Sequence, residues 1–167
     1  VTLVFTPAAT SGVLGQASPG TAVTGADGLA QTDFTLGELA GDDAQWLEVT
    51  ADSFPSVPAL NVSADAEPDE PASISMVSGD GQTASYGQTL PEPLVVLVED
   101  QYANPVWDYL VSWGPSPGTT GTTGDATTIT DADGQTSSTA TLGSTPGEGD
   151  QYLTATANGL HVEFEAT

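Results

Sequence analysis

Thr24-Gly25-Ala26-Asp27-Gly28 returns further along the chain as Thr130-Asp131-Ala132-Asp133-Gly134. Each copy is followed by an alternating stretch that closes on Leu-Gly, at Leu36-Gly37 and at Leu142-Gly143. The offset is 106 residues, and it still holds at Gln45-Trp46-Leu47 against Gln151-Tyr152-Leu153 and at Thr50-Ala51 against Thr156-Ala157. An Asp-Gly pair between alternating residues is a hairpin signal. Glycine supplies the positive φ of the turn, and the aspartate accepts a local backbone hydrogen bond. A period of this length is too long for a solenoid turn and fits one small β-sandwich of about 100 residues. The repeat therefore decides the fold class: all-β, two sandwich modules in tandem, one of them incomplete.

Working outward from the first hairpin, the pattern predicts strands over 1–6, 21–24, 29–36, 44–51 and 60–64. Pro7 ends the first of these, and 7–20 and 37–43 read as loops. Asp65-Ala66-Glu67-Pro68-Asp69-Glu70-Pro71 follows. Its prolines disfavour helix and its carboxylates favour water, so it reads as an extended linker. The second module begins with strands over 72–77 and 94–99, for which the first has no counterpart. The unbroken aliphatic run Leu94–Val98 predicts burial on both faces. Tyr109–Trp113 then matches Val1–Phe5, and Pro115 matches Pro7. A Gly/Thr-rich loop over 114–126, the second hairpin, and strands over 135–142, 150–157 and 160–166 complete the set. No stretch has a helical period.

Charge excludes whole classes of partner. The chain has no Lys and no Arg against 23 Asp and Glu, a net charge of -23. Nucleic-acid binding needs cations on phosphates and is not expected. Attraction to anionic lipid fails for the same reason, and the apolar runs are far too short to span a bilayer. There is no cysteine, so neither disulfides nor thiolate metal sites arise. With no basic leader at Val1, the chain reads as a mature or excised piece of something longer.

Several segments in order carry a resemblance. They are Pro71-Ala72-Ser73-Ile74, Ser78-Gly79-Asp80-Gly81-Gln82, Leu90-Pro91-Glu92-Pro93-Leu94-Val95-Val96 and Asp100-Gln101-Tyr102-Ala103-Asn104-Pro105-Val106, followed by Thr130–Gln135 and Thr141-Leu142-Gly143. Together they resemble the bacterial Ig-like group 1 domain of invasin- and intimin-type surface adhesins. The resemblance covers 71–167 in full. It implies a complete Ig-like sandwich over 72–167, a partial one over 1–64 lacking its first two strands, and the linker over 65–71. It also implies a stiff extracellular spacer at the cell surface, non-enzymatic, whose partners are neighbouring Ig-like modules or fibre subunits. The absence of basic residues departs from the family's usual composition.

The residues that could carry chemistry are few. His161 alternates with Val162 and Phe164 and reads as an outward strand histidine, with no nucleophile elbow to make it catalytic. No catalytic or cofactor-binding residue and no firm metal ligand is expected. Calcium (Ca2+) takes several oxygen ligands, and Asp65, Glu67, Asp69 and Glu70 in the linker, with Asp131 and Asp133 at the hairpin tip, are the places for it. No Asp-x-Asp-x-Asp-Gly loop accompanies them, so a solvated acidic linker is the favoured reading. Trp46 with Tyr152, and Phe5 with Trp113, repeat as core aromatics; Trp107 has no counterpart and is the aromatic whose exposure would suggest a sugar platform. Asn61-Val62-Ser63 is an N-glycosylation pattern. The second reading is a glycan- or calcium-binding accessory module of a secreted enzyme. Without its first two strands, the 1–64 module is expected to expose an edge and an apolar face around Phe5, Leu36 and Leu47. The missing strands are expected from chain upstream of Val1, or by donation from a neighbouring subunit.

Overall fold

The computed structural model describes residues 1–144 and 151–167, and the regular structure in them is strand throughout. The chain divides into two compact units, Val1–Pro68 and Asp69–Thr167. Unit 1 holds β1 (Thr2–Ala9), β2 (Gln16–Ser18), β3 (Thr21–Val23), β4 (Asp33–Thr35), β5 (Gly41–Ala51) and β6 (Leu60–Ala66). Four of these form one antiparallel sheet in the order β3-β1-β5-β6, and β2 pairs with β4. Pro7 does not end β1; it lies opposite Leu47 on β5. The N–H of Phe5 donates to Gly20, on the side away from β5. The nitrogen of Pro7, two residues on, faces that same side, past the last β3 pair at Val4↔Thr21. The proline therefore costs no ladder hydrogen bond.

Unit 2 holds β7 (Ser73–Ser78), β8 (Leu94–Glu99), β9 (Leu110–Pro115), β10 (Thr122–Thr123), β11 (Thr127–Ile129), β12 (Gln135–Ser138), β13 (Ala140–Thr141), β14 (Gln151–Ala157) and β15 (Leu160–Ala166). The sheet β11-β9-β14-β15 faces the sheet β12-β8-β7, and β10 pairs with β13. Leu94, Val96 and Val98 of one sheet and Val111, Trp113, Leu153, Ala155 and Phe164 of the other close a single core between them. The Trp113 and Phe164 rings lie 6.3 Å apart, and the Trp113 indole N–H donates to Thr128 Oγ1 at 2.7 Å. A short segment ahead of β8 runs parallel to the end of β15. Gln82 bridges Ala166, the Gly81 N–H donates to the Glu165 carbonyl, and Gln82 O and the Ala84 N–H bond Thr167.

Several expectations change. β8 alternates fully buried Leu94, Val96 and Val98 with half-buried Val95, Leu97 and Glu99, so one face is buried and not both; a sandwich covers only its inner side. The strand expected over 135–142 splits into β12, which pairs with β8, and β13, which pairs with β10. The loops expected over 7–20 and 114–126 contain β2 and β10. The strand expected over 29–36 keeps only Asp33–Thr35. The expected strand start at 150 lies outside the described residues. Of the expected linker, Asp65 and Ala66 finish β6, with Asp65 accepting from the Asp43 N–H at 2.8 Å. At its other end, Pro71 O accepts from Asn158 Nδ2 at 3.0 Å within unit 2.

Candidate functional site

The repeated phrases build the same small devices in both units. In unit 1 the Gly28 N–H reaches the Gly25 carbonyl and the Gly25 N–H that of Leu29; in unit 2 Gly134 reaches Asp131 and Asp131 reaches Gln135. Gly28 and Gly134 have φ of 80° and 69°. The side-chain acceptor differs: Asp27 takes the Leu29 N–H, whereas Asp131 takes those of Asp133 and Gln135. The Leu-Gly phrase marks a close approach. A Cβ on Gly37 would fall 2.0 Å from the Val13 carbonyl oxygen, and one on Gly143 1.9 Å from Thr120 Oγ1. Each glycine is held by a buried glutamine. The Gly37 N–H donates to Gln45 Oε1, and the Gly143 N–H to Gln151 Oε1 at 2.7 Å. Gln45 Nε2 donates in turn to the Gly37 and Leu39 carbonyls. Gln45 and Gln151 are 0% and 1% exposed. Gln45 is bonded through both amide atoms, as a buried amide requires, whereas Gln151 is held through its Oε1 and its Nε2 is buried without a partner among the described residues.

Unit 2 adds one device of its own at 100–104. The Asp100 carboxylate is buried. Its Oδ1 accepts the N–H groups of Tyr102 and Asn104 at 2.8 and 2.9 Å, and its Oδ2 accepts Asn104 Nδ2 at 2.8 Å and the Asp69 N–H at 3.1 Å. Burial by itself pushes this carboxyl up, but the bonds from the Asn104 side chain and from the backbone of Asn104, Asp69 and Tyr102 outweigh it and hold the group below its ordinary value. The turn they stabilise carries Ala103 at positive φ.

The residues singled out for chemistry do not converge. His161 is exposed on β15, opposite Thr156. Asp65, Glu67, Asp69 and Glu70 are exposed; Asp65 binds within unit 1, and Asp69 Oδ2 accepts from Gln101 Nε2 at 2.9 Å within unit 2. Asp131 is occupied by its own turn. Among the described residues no three acidic or histidine side chains gather as a cation site would require. Trp107 is half-buried, as are Trp46 and Tyr152, while Phe5 and Trp113 are buried. Asn61 is exposed on β6.

The feature with no internal use is one end of the inner face of the unit 1 sheet, at Leu60 and Val62. Register matches that face to unit 2 position by position. Phe5 sits opposite Val49 and Trp113 opposite Ala155; Leu47 meets Val62 and Leu153 meets Phe164. Val62 is 50% exposed where Phe164 is 0%, and Leu60 is 63% exposed where Val162 is half-buried. Leu3, Val49 and Ala51 are half-buried, against fully buried partners in unit 2. The expected exposure around Phe5, Leu36 and Leu47 is thus displaced. Phe5 and Leu47 are buried and Leu36 is half-buried, and the open end lies at Leu60 and Val62.

No protein-family model and no curated protein matches the sequence. Several solved structures are similar to it, among them the following three. Domains 4 and 5 of the S-layer protein SbsC share 16% identity, with 80% of this chain and 67% of that one covered and a TM-score of 0.48. The D0-D1 domain of intimin shares 20%, over 100% and 78% of the two chains, at 0.41. FdeC, an Escherichia coli adhesin, shares 18%, over 99% and 54%, at 0.49.

Proposed function

We propose that the chain is a non-enzymatic structural module of a bacterial cell surface, part of a tandem Ig-like stalk or fibre of the group 1 type, with neighbouring modules as its partners. One observation carries this reading: the residues that repeat between the two units serve the framework. Gly28 and Gly134 turn the hairpins, Gly37 and Gly143 admit a close chain crossing, and Gln45 and Gln151 hold it. An active site would gather groups that titrate or attack; here the repeated carboxylates, Asp27 and Asp133, stand exposed at the hairpin tips, and the repeated polar groups that are buried, Gln45 and Gln151, are neutral amides. The accessory-module reading is tested on a glycan array with and without chelator. No retained glycan is the expected result. Retention abolished by chelator, or by Trp107→Ala, would replace the spacer reading with the binding one.

A further inference from the structure

In unit 2, β12 exists as a strand because β8 lies beside it, pairing Gln135↔Leu97 through Ser138↔Leu94. The segment of unit 1 that follows the same turn, 29–32, belongs to no strand, and Leu29 on it is 72% exposed. The turn reports the same difference. A Cβ on Gly134 would lie 2.7 Å from the Val98 carbonyl oxygen and 3.0 Å from Pro105 Cβ, whereas one on Gly28 meets nothing within 4 Å. A concavity of about 620 Å³ borders the segment, lined among others by Ala22, Val23, Leu29 and Ala30. An unpaired segment, an empty turn and the uncovered side chains of Leu60 and Val62 therefore mark one absence. Unit 2 shows what fills it: the inner aliphatic row Leu94, Val96, Val98.

We propose that unit 1 is an acceptor for one antiparallel strand pair built as β7–β8 is built. The inner strand lies along 29–32 and sets three alternate aliphatic side chains over Leu3, Val49, Leu60 and Val62. It enters β1 from the amino-terminal side, by the connection that takes β8 into β9. The occupant is not a second copy of this chain. Every charged side chain in unit 1 is a carboxylate, so two copies brought face to face repel. Loan of β7–β8 from another copy would only open that copy's own unit 2. Addition of a strand to an open edge supplies main-chain hydrogen bonds, while alternate side chains supply the fit. The inference stands whether or not the chain retains glycan.

The test adds a copy of residues 71–108 directly ahead of Val1 in the full chain. The readout is hydrogen exchange at 29–32 and 60–64, with 135–138 as the internal reference. Exchange at 29–32 is expected to slow by about tenfold or more toward the reference, in a chain that sediments as a monomer. The same graft carrying Leu94→Ser, Val96→Ser and Val98→Ser in the added copy is expected to lose that protection. Unchanged exchange at 29–32 with the reference intact would overturn the proposal, as would protection that survives the serine graft. A dimer of the original 1–167 chain with 29–32 protected would overturn it in favour of a second copy.

Discussion

Gly28 and Gly134 occupy the same turn with the same sign of φ, yet substitution should separate them. Any side chain there meets the left-handed penalty of about 1–2 kcal/mol. Only at Gly134 does it also meet the Val98 carbonyl and Pro105. Gly134→Ala should therefore lower the melting temperature of unit 2 clearly more than Gly28→Ala lowers that of unit 1. Gly134→Val should be worse than Gln135→Val, which changes only the first residue of β12. Equal midpoints would remove the packing argument. Asp100 gives a second measurement. Its carboxyl is held down in the folded state, so its contribution is fully present above the unfolded value near 3.8 and is lost as pH falls through the folded value. Asp100→Asn sets an amide nitrogen against Asn104 Nδ2 and the Asp69 N–H. At neutral pH it should cost about 1.5–3 kcal/mol. The difference from the original chain should shrink on acidification below pH 4, as read by denaturant melts across pH.

At the scale of strands, register turns the repeat into a controlled comparison. Phe164 and Val62 hold one position on matching edge strands, one fully buried and the other half out in water. Phe164→Ala should cost about 3–5 kcal/mol, whereas Val62→Ala should fall within about 0.5 kcal/mol; thermal melts of the two variants decide it. The same comparison shows what the sequence reveals and what it hides. The Asp-Gly turns and the extended conformation of β8 were legible, because each depends on neighbours along the chain, whereas the unbroken aliphatic run overstated the burial of β8, which is buried on one face. The strand expected over 29–36 was not, because extension at Leu29–Thr32 needs a partner that this chain does not place there. The glutamine clamps were visible only as repeated letters. Nothing local tells that an amide at Gln45 is buried, since its acceptors at Gly37 and Leu39 lie across a loop. The acidic linker misled in a similar way. Its carboxylates read as water-facing spacers, yet Asp65 and Asp69 each take a specific donor.

For the whole molecule, the charge of -23 without a Lys or Arg means that long-range electrostatics oppose compactness. Salt screens such repulsion over ~10 Å at 0.1 M. The melting midpoint should rise from low to high NaCl, and a flat or falling midpoint would show that repulsion is not a sizeable contribution. Unit 2 also has a clasp between 81–84 and 165–167, where the earlier segment runs parallel to the end of β15. Segments that run the same way, one near each end of a unit, respond to traction differently from a hairpin. Pulling the two ends apart slides one along the other, so the bonds at Gly81, Gln82 and Ala84 are loaded together rather than peeled singly. In single-molecule stretching, unit 2 should therefore yield in one abrupt event. Ala84→Pro removes the N–H that donates to the Thr167 carbonyl, and it should lower the rupture force more than it lowers the melting temperature. A unit so fastened behaves under tension as a rigid link, with its resistance set by a few amides near its ends rather than by its core.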